Sequence, residues 1–108
     1  MTTVTLLCRI DELPENGAKG FDLEQRKLFA VKRQGEVFLY ENRCPHQGIP
    51  LEWMPDVFLD AEKQFIQCST HGALFTIDQG QCIVGPCVGA KLQTIAFEII
   101  DGALCIQN

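Results

Sequence analysis

An all-β domain of short antiparallel strands, with one irregular stretch inserted among them, is what this sequence predicts. Three observations carry that expectation. Apolar residues fall in short runs of strand length, and every legible stretch reads as strand or turn. The runs are punctuated by Gly, Pro, Asn and Asp, including an Asp-Gly pair, a hairpin signal, at Asp101-Gly102. Finally, 108 residues that are 46% hydrophobic and 21% charged make an ordinary globular composition, enough for one domain to bury a core of its own.

Taken in order, Val4, Leu6 and Cys8 alternate as in a first strand, and Asp11 to Gly20, with Pro14 and two glycines, reads as a loop. Lys27 to Lys32 and Glu36 to Tyr40 are apolar-rich runs joined by Arg33-Gln34-Gly35, the pattern of a hairpin. Its second strand leads into Asn42 to Pro50, a stretch made irregular by Pro45, Gly48 and Pro50, where freed backbone amides can face an anionic centre. Leu51 to Gln67 is a spacer carrying Trp53-Met54-Pro55 and then Val57-Phe58-Leu59 and Phe65-Ile66-Gln67 as a second hairpin. Leu74 to Ile77 makes another strand, turning at Asp78-Gln79-Gly80. After the loop Val84-Gly85-Pro86-Cys87, a terminal hairpin pairs Leu92 to Ile100 with Ala103 to Ile106.

Nine basic against fourteen acidic side chains leave a net charge of -5. That balance disfavours nucleic acid and anionic lipid, and it suits a partner with a basic docking face. The first residues, MTTVTLLCRIDELPENG, have no basic leader and only short apolar runs, so neither a signal peptide nor a membrane anchor is expected, and the predicted location is cytoplasmic. Without an export signal, the six cysteines argue for metal rather than for a disulfide scaffold.

The metal reading rests on two loops. Cys44-Pro45-His46 and Cys68-Ser69-Thr70-His71 hold both histidines of the chain and pair each with a cysteine. Two thiolates and two imidazoles form a ligand set, and mixing the types within each loop suits a two-iron cluster, one iron taking the sulfurs and the other the nitrogens. Zinc is the competing reading, since Cys and His also make a tetrahedral structural site, but zinc fingers more often present two Cys together and then two His together. The other cysteines, Cys8, Cys82, Cys87 and Cys105, read as small buried apolar side chains.

The loops CPHQGIP and CSTHGALF resemble those of the Rieske 2Fe-2S family, and most closely its soluble ferredoxins. The resemblance covers most of the chain, although the spacer is longer than the family usually shows. It implies an antiparallel β-sandwich forming a single domain over 1–108, with basal strands at about 1–40 and 88–108 and a small cluster-binding subdomain at about 41–87. It implies one 2Fe-2S cluster held by Cys44, His46, Cys68 and His71, and a proline loop at Val84 to Cys87 covering it from a third side. High-potential relatives carry a disulfide at the positions of Ile49 and Thr70, and hydroxyl donors to the cluster at those of Ala73 and Phe75. None of those groups is present here, so a low-potential centre is expected.

The resemblance further implies a carrier of single electrons, not itself an enzyme, between a flavoprotein reductase using NADH or NADPH and the terminal oxygenase of a ring-hydroxylating system. Residues that would act on a substrate are not evident: both histidines are used in the loops, and no flavin or nicotinamide fingerprint occurs. Two other functions compete with it, the small subunit of an assimilatory nitrite reductase and a zinc-stabilised binding module. Among the remaining residues, Trp53 shields the cluster or packs the subdomain, Cys87 is a buried thiol, and Ile49, Pro50 and Pro86 make an apolar rim for docking or for excluding water.

Overall fold

A computed structural model of the chain describes residues 4–23, 26–43, 58–68, 72–85 and 88–107. It is all-β, with three antiparallel sheets of three strands each among those residues. The first sheet holds β1 (Val4–Arg9), β9 (Ala103–Gln107) and β8 (Glu98–Ile100), in that order. The second runs β2 (Gly17–Asp22), β3 (Lys27–Arg33), β4 (Glu36–Glu41), and the third runs β5 (Ile66–Gln67), β6 (Leu74–Phe75), β7 (Cys82–Val84).

The central sheet is apolar on both faces, and this organises the molecule. Four consecutive residues of β3, Leu28 to Val31, are fully buried. Because side chains alternate across a strand, Leu28 and Ala30 join Leu39, Cys8, Leu104 and Ile106 in one core beneath the terminal sheet. Phe29 and Val31 face the other way, joining Tyr40, Phe58, Ile66, Cys68, Phe75 and Ile77 in a second core beneath the third sheet. The register Phe29↔Tyr40 and Ala30↔Leu39 keeps each set on its own face.

Two hairpin turns take the form the sequence predicts. Gln34 and Gly35 have φ of 53° and 78°, and Asp101 and Gly102 have 51° and 77°. Positive φ at both central residues is the type I′ pattern, whose twist matches that of the strands it joins. The second hairpin also forms, with Leu59 bridged to Ile66 and the Gln67 amide donating to the Phe58 carbonyl at 2.8 Å.

Three expectations are corrected. The predicted loop Asp11 to Gly20 contains a single 3-10 turn, Ile10–Glu12, and then the start of β2. Gly-Ala-Lys-Gly has poor strand propensity, and it pairs as an edge because β3 offers a full ladder from Gly17↔Lys32 to Asp22↔Lys27. The strand beginning at Leu74 stops at Phe75, since Thr76 and Gly80 close a turn through the Gly80 amide and the Thr76 carbonyl at 2.8 Å. The predicted strand Leu92 to Ile100 is regular only over Glu98–Ile100. Its first half lies along β4 instead, with Thr94 bridged to Tyr40 and the Ile95 amide donating to the Leu39 carbonyl at 3.0 Å. The segment thus crosses from one sheet to another.

The topology separates two ends. Turns at 15–16, 34–35, 62–64 and 77–78 line adjoining grooves at one end, where the Arg33 guanidinium reaches the Gln64 side chain at 3.5 Å and the Gly35 amide donates to the Glu15 carboxylate at 3.1 Å. From there β4 runs away toward Asn42 and Arg43, and β5 toward Cys68.

Candidate metal centre

Of the four predicted ligands, Cys68 falls among the described residues; Cys44, His46 and His71 lie outside them, as do Ile49, Pro50, Trp53, Thr70, Pro86 and Cys87. Cys68 directly follows β5 and is fully buried in the second core. Its amide donates to the Ala73 carbonyl at 2.9 Å, and its own carbonyl accepts from the Gly72 amide at 2.9 Å. Cys68 is therefore tied through its backbone to both Gly72 and Ala73, with Gly72 at φ 67°. With the Cys68 backbone held in this way, a metal binding its sulfur meets a lower ordering cost.

The loop entering the first ligand pair starts from an equally fixed base. Asn42 is buried and its amide donates to the Lys27 carbonyl at 2.8 Å. The spacer returns at Phe58, also buried, whose ring stacks on Phe29 with centroids 4.4 Å apart and planes 6° from parallel. That stack ties the far end of the spacer to β3. Nothing in the residue pattern marks it, because aromatic pairing across a long spacer leaves no local signal.

Gly85 brings the proline loop to the second ligand loop. A Cβ there would lie 2.9 Å from the Ala73 Cα and 3.0 Å from its Cβ, so only the missing side chain allows the approach. The Gly before Pro86 is the sequence signal for this contact.

Hydroxyl donors are missing where the resemblance makes them matter. Ala73 and Phe75 are both fully buried and carry none. The single tyrosine of the chain, Tyr40, shares a core with Cys68, but its hydroxyl donates to the Ile77 carbonyl at 2.6 Å. Burial, reinforced by the nearby Asp78 carboxylate, pushes its pKa up to about 12. A cleft of about 630 Å³ between the terminal sheet and the end of β4 is lined by Val4, Arg26, Glu41, Phe97 and Ile106 among others, and Cys68 is not part of its lining.

The described structure thus offers one predicted ligand, the buried Cys68, on an all-β frame, with Gly85 packed against Ala73 beside it. The Rieske 2Fe-2S domain is matched over residues 3–98, and the chain belongs to that family, whose domain binds one 2Fe-2S cluster. Among curated relatives, the ferredoxin component of the alkene monooxygenase system of Xanthobacter autotrophicus is 29% identical over 100 residues, covering 93% of this chain and 77% of that one. The ferredoxin component of the naphthalene 1,2-dioxygenase system of Pseudomonas aeruginosa is 27% identical, covering 82% of this chain and 79% of its own. Among solved structures, a ferredoxin of Sphingomonas yanoikuyae B1 superposes with a TM-score of 0.77 at 25% identity, over 98% of this chain and 99% of that one.

Proposed function

We propose that the chain is a one-electron carrier of an oxygenase system, loaded with one 2Fe-2S cluster on Cys44, His46, Cys68 and His71. The observation that supports the ligand assignment is Cys68 itself, buried, tied through its backbone to Gly72 and Ala73, and followed three residues later in the sequence by His71. The oxygenase role is supported by two relatives, each the ferredoxin component of an oxygenase system. A flavoprotein reductase is the electron source we propose, and the terminal oxygenase the acceptor. We further propose that 41–87 acts as the cluster-binding unit on a base formed by the flanking strands, and that the carrier works in the cytoplasm; no helix among the described residues is long and apolar enough to cross a membrane.

When bound, the cluster supplies one-electron redox chemistry, and two imidazoles in place of thiolates place its potential between roughly -150 and +300 mV. The protein's part is to hold Cys68 in its turn, to keep water from it by burial among Phe58, Ile66 and Phe75, and to leave it without hydroxyl donors from Ala73 and Phe75. Those absences favour the low end of the range. Iron and sulfide analysis of protein isolated intact tests the assignment: about two of each per chain are expected. Stoichiometric zinc would overturn it.

A further inference from the structure

Charge is distributed unevenly along this acidic chain. From Gln64 to Ala90 the only charged residue is Asp78, and it sits in the groove with Arg33 and Glu36 at the end away from Cys68. Glu15, Glu62, Arg33 and Lys63 gather at that same end. The third sheet therefore approaches the ligand loop carrying no charge at all.

Its outer strand is also apolar where it is exposed. Ile83 and Val84 on β7 are 42% and 48% exposed, and Val88 in the following turn is 64% exposed. The turn is tied by the Val88 amide to the Gly85 carbonyl at 3.4 Å, and Gly85 rests on Ala73, next to the ligand-bearing turn. Three large apolar side chains thus stand in water on the strand and turn that flank Gly85, the residue resting on Ala73. Exposed apolar groups gathered in this way mark contact surfaces, and the centres of protein interfaces are depleted in charge.

We propose that Ile83, Val84 and Val88 form the seat of the oxygenase component, which docks there through a charge-poor apolar surface of its own. The assignment rests on the carrier function proposed above. In the docked complex one electron leaves the reduced carrier and reduces the oxygenase, with no bond made or broken. The net charge of -5 still guides a basic partner from a distance, while the strands of the third sheet contribute no charge of their own, Lys91 being bridged to Gln81 just before β7. A second exposed apolar group, Val4, Leu6, Ile99 and Ile100, lies on the terminal sheet. It borders the other core, so an electron leaving there would have to cross the sandwich.

The test uses cluster-loaded protein, chemically reduced, and the oxygenase component from the same host, with electron transfer followed by stopped-flow absorbance. Val84→Gln, Val88→Gln and Val88→Glu are each expected to lower the second-order rate by about tenfold or more. Leu6→Glu, on the terminal sheet, should stay within about twofold of wild type, and all four variants should keep the wild-type cluster spectrum and potential. If the wild-type carrier does not reduce the oxygenase, the functional reading falls and the docking site with it. If it does and the Gln variants keep pace, the docking site alone is overturned. Slowing by Glu that Gln does not share, and that salt abolishes, also overturns it, because charge repulsion would then explain the effect.

Discussion

Two buried side chains, Ala73 and Phe75, are where the redox character of this protein is most open to test. By the resemblance of the loop, each stands where high-potential relatives carry a hydroxyl donor to the cluster, and a donor to a charged acceptor is worth about 1.5 to 3 kcal/mol. Reduction makes the cluster more negative, so such a donor stabilises the reduced form. Ala73→Ser and Phe75→Tyr are therefore each expected to raise the potential, by up to roughly 65 to 130 mV at ~59 mV per tenfold. Voltammetry of the assembled variants checks this, and unchanged values would mean that neither hydroxyl reaches the cluster. Tyr40 makes a second prediction at this scale. Its folded pKa of about 12 lies above the ordinary 10, so the native state holds the proton that the unfolded chain releases first. The resulting stability is complete below pH 10 and is lost as pH rises toward about 12. Denaturation at successive pH values should show a loss of roughly 2 to 3 kcal/mol across that window, absent in Tyr40→Phe. Tyr40 is the only tyrosine, so tyrosinate absorbance follows the same group directly.

Among the elements, the contact between the proline loop and the ligand turn depends on one absent side chain. Gly85 combines φ 107° with Ala73 atoms at 2.9 and 3.0 Å from any Cβ. Gly85→Val is expected to destabilise by about 2 kcal/mol or more, strain and overlap adding, and to speed loss of the visible cluster spectrum on heating. Gly35→Ala is the comparison: φ is 78° but nothing lies within 4 Å, so only the backbone cost of ~1 kcal/mol applies. If both variants lose cluster equally fast, the Gly85 contact does not support the site. The central sheet shows the opposite economy, because β3 serves two cores with one run of Leu28, Phe29, Ala30 and Val31.

For the whole molecule, two cores on opposite faces of one sheet imply two levels of stability. Cys68 belongs to the core shared by β5, β6 and β7, while Cys8, Leu104 and Ile106 pack with Leu28 and Leu39 away from it. Metal binding contributes folding free energy to the part that holds the ligands. Stripping the cluster with a chelator should therefore loosen the Cys68 to Gly85 region first. Hydrogen exchange is expected to show the Cys68 and Gly72 amides exposed while those of Ala30 and Leu104 stay protected. Loss of protection everywhere at once would show a single cooperative unit instead.

The sequence by itself determined the strand-and-turn character and two hairpin turns, because each is written in adjacent residues, Gln34-Gly35 and Asp101-Gly102, and it marks the proposed ligand pairs in the same local way, a Cys two or three positions before a His. It did not reveal β2, whose Gly-Ala-Lys-Gly pairs only because β3 is beside it, nor the passage of Leu92 to Ile95 along β4. Likewise, no local pattern foretold Phe58 stacking on Phe29 or Tyr40 spending its hydroxyl on Ile77. Those contacts join residues far apart in the chain. Local steric preference and hydrophobic periodicity act over a few residues, whereas the partners of an edge strand, a buried hydroxyl or an absent Cβ are chosen only when the sheets close on one another.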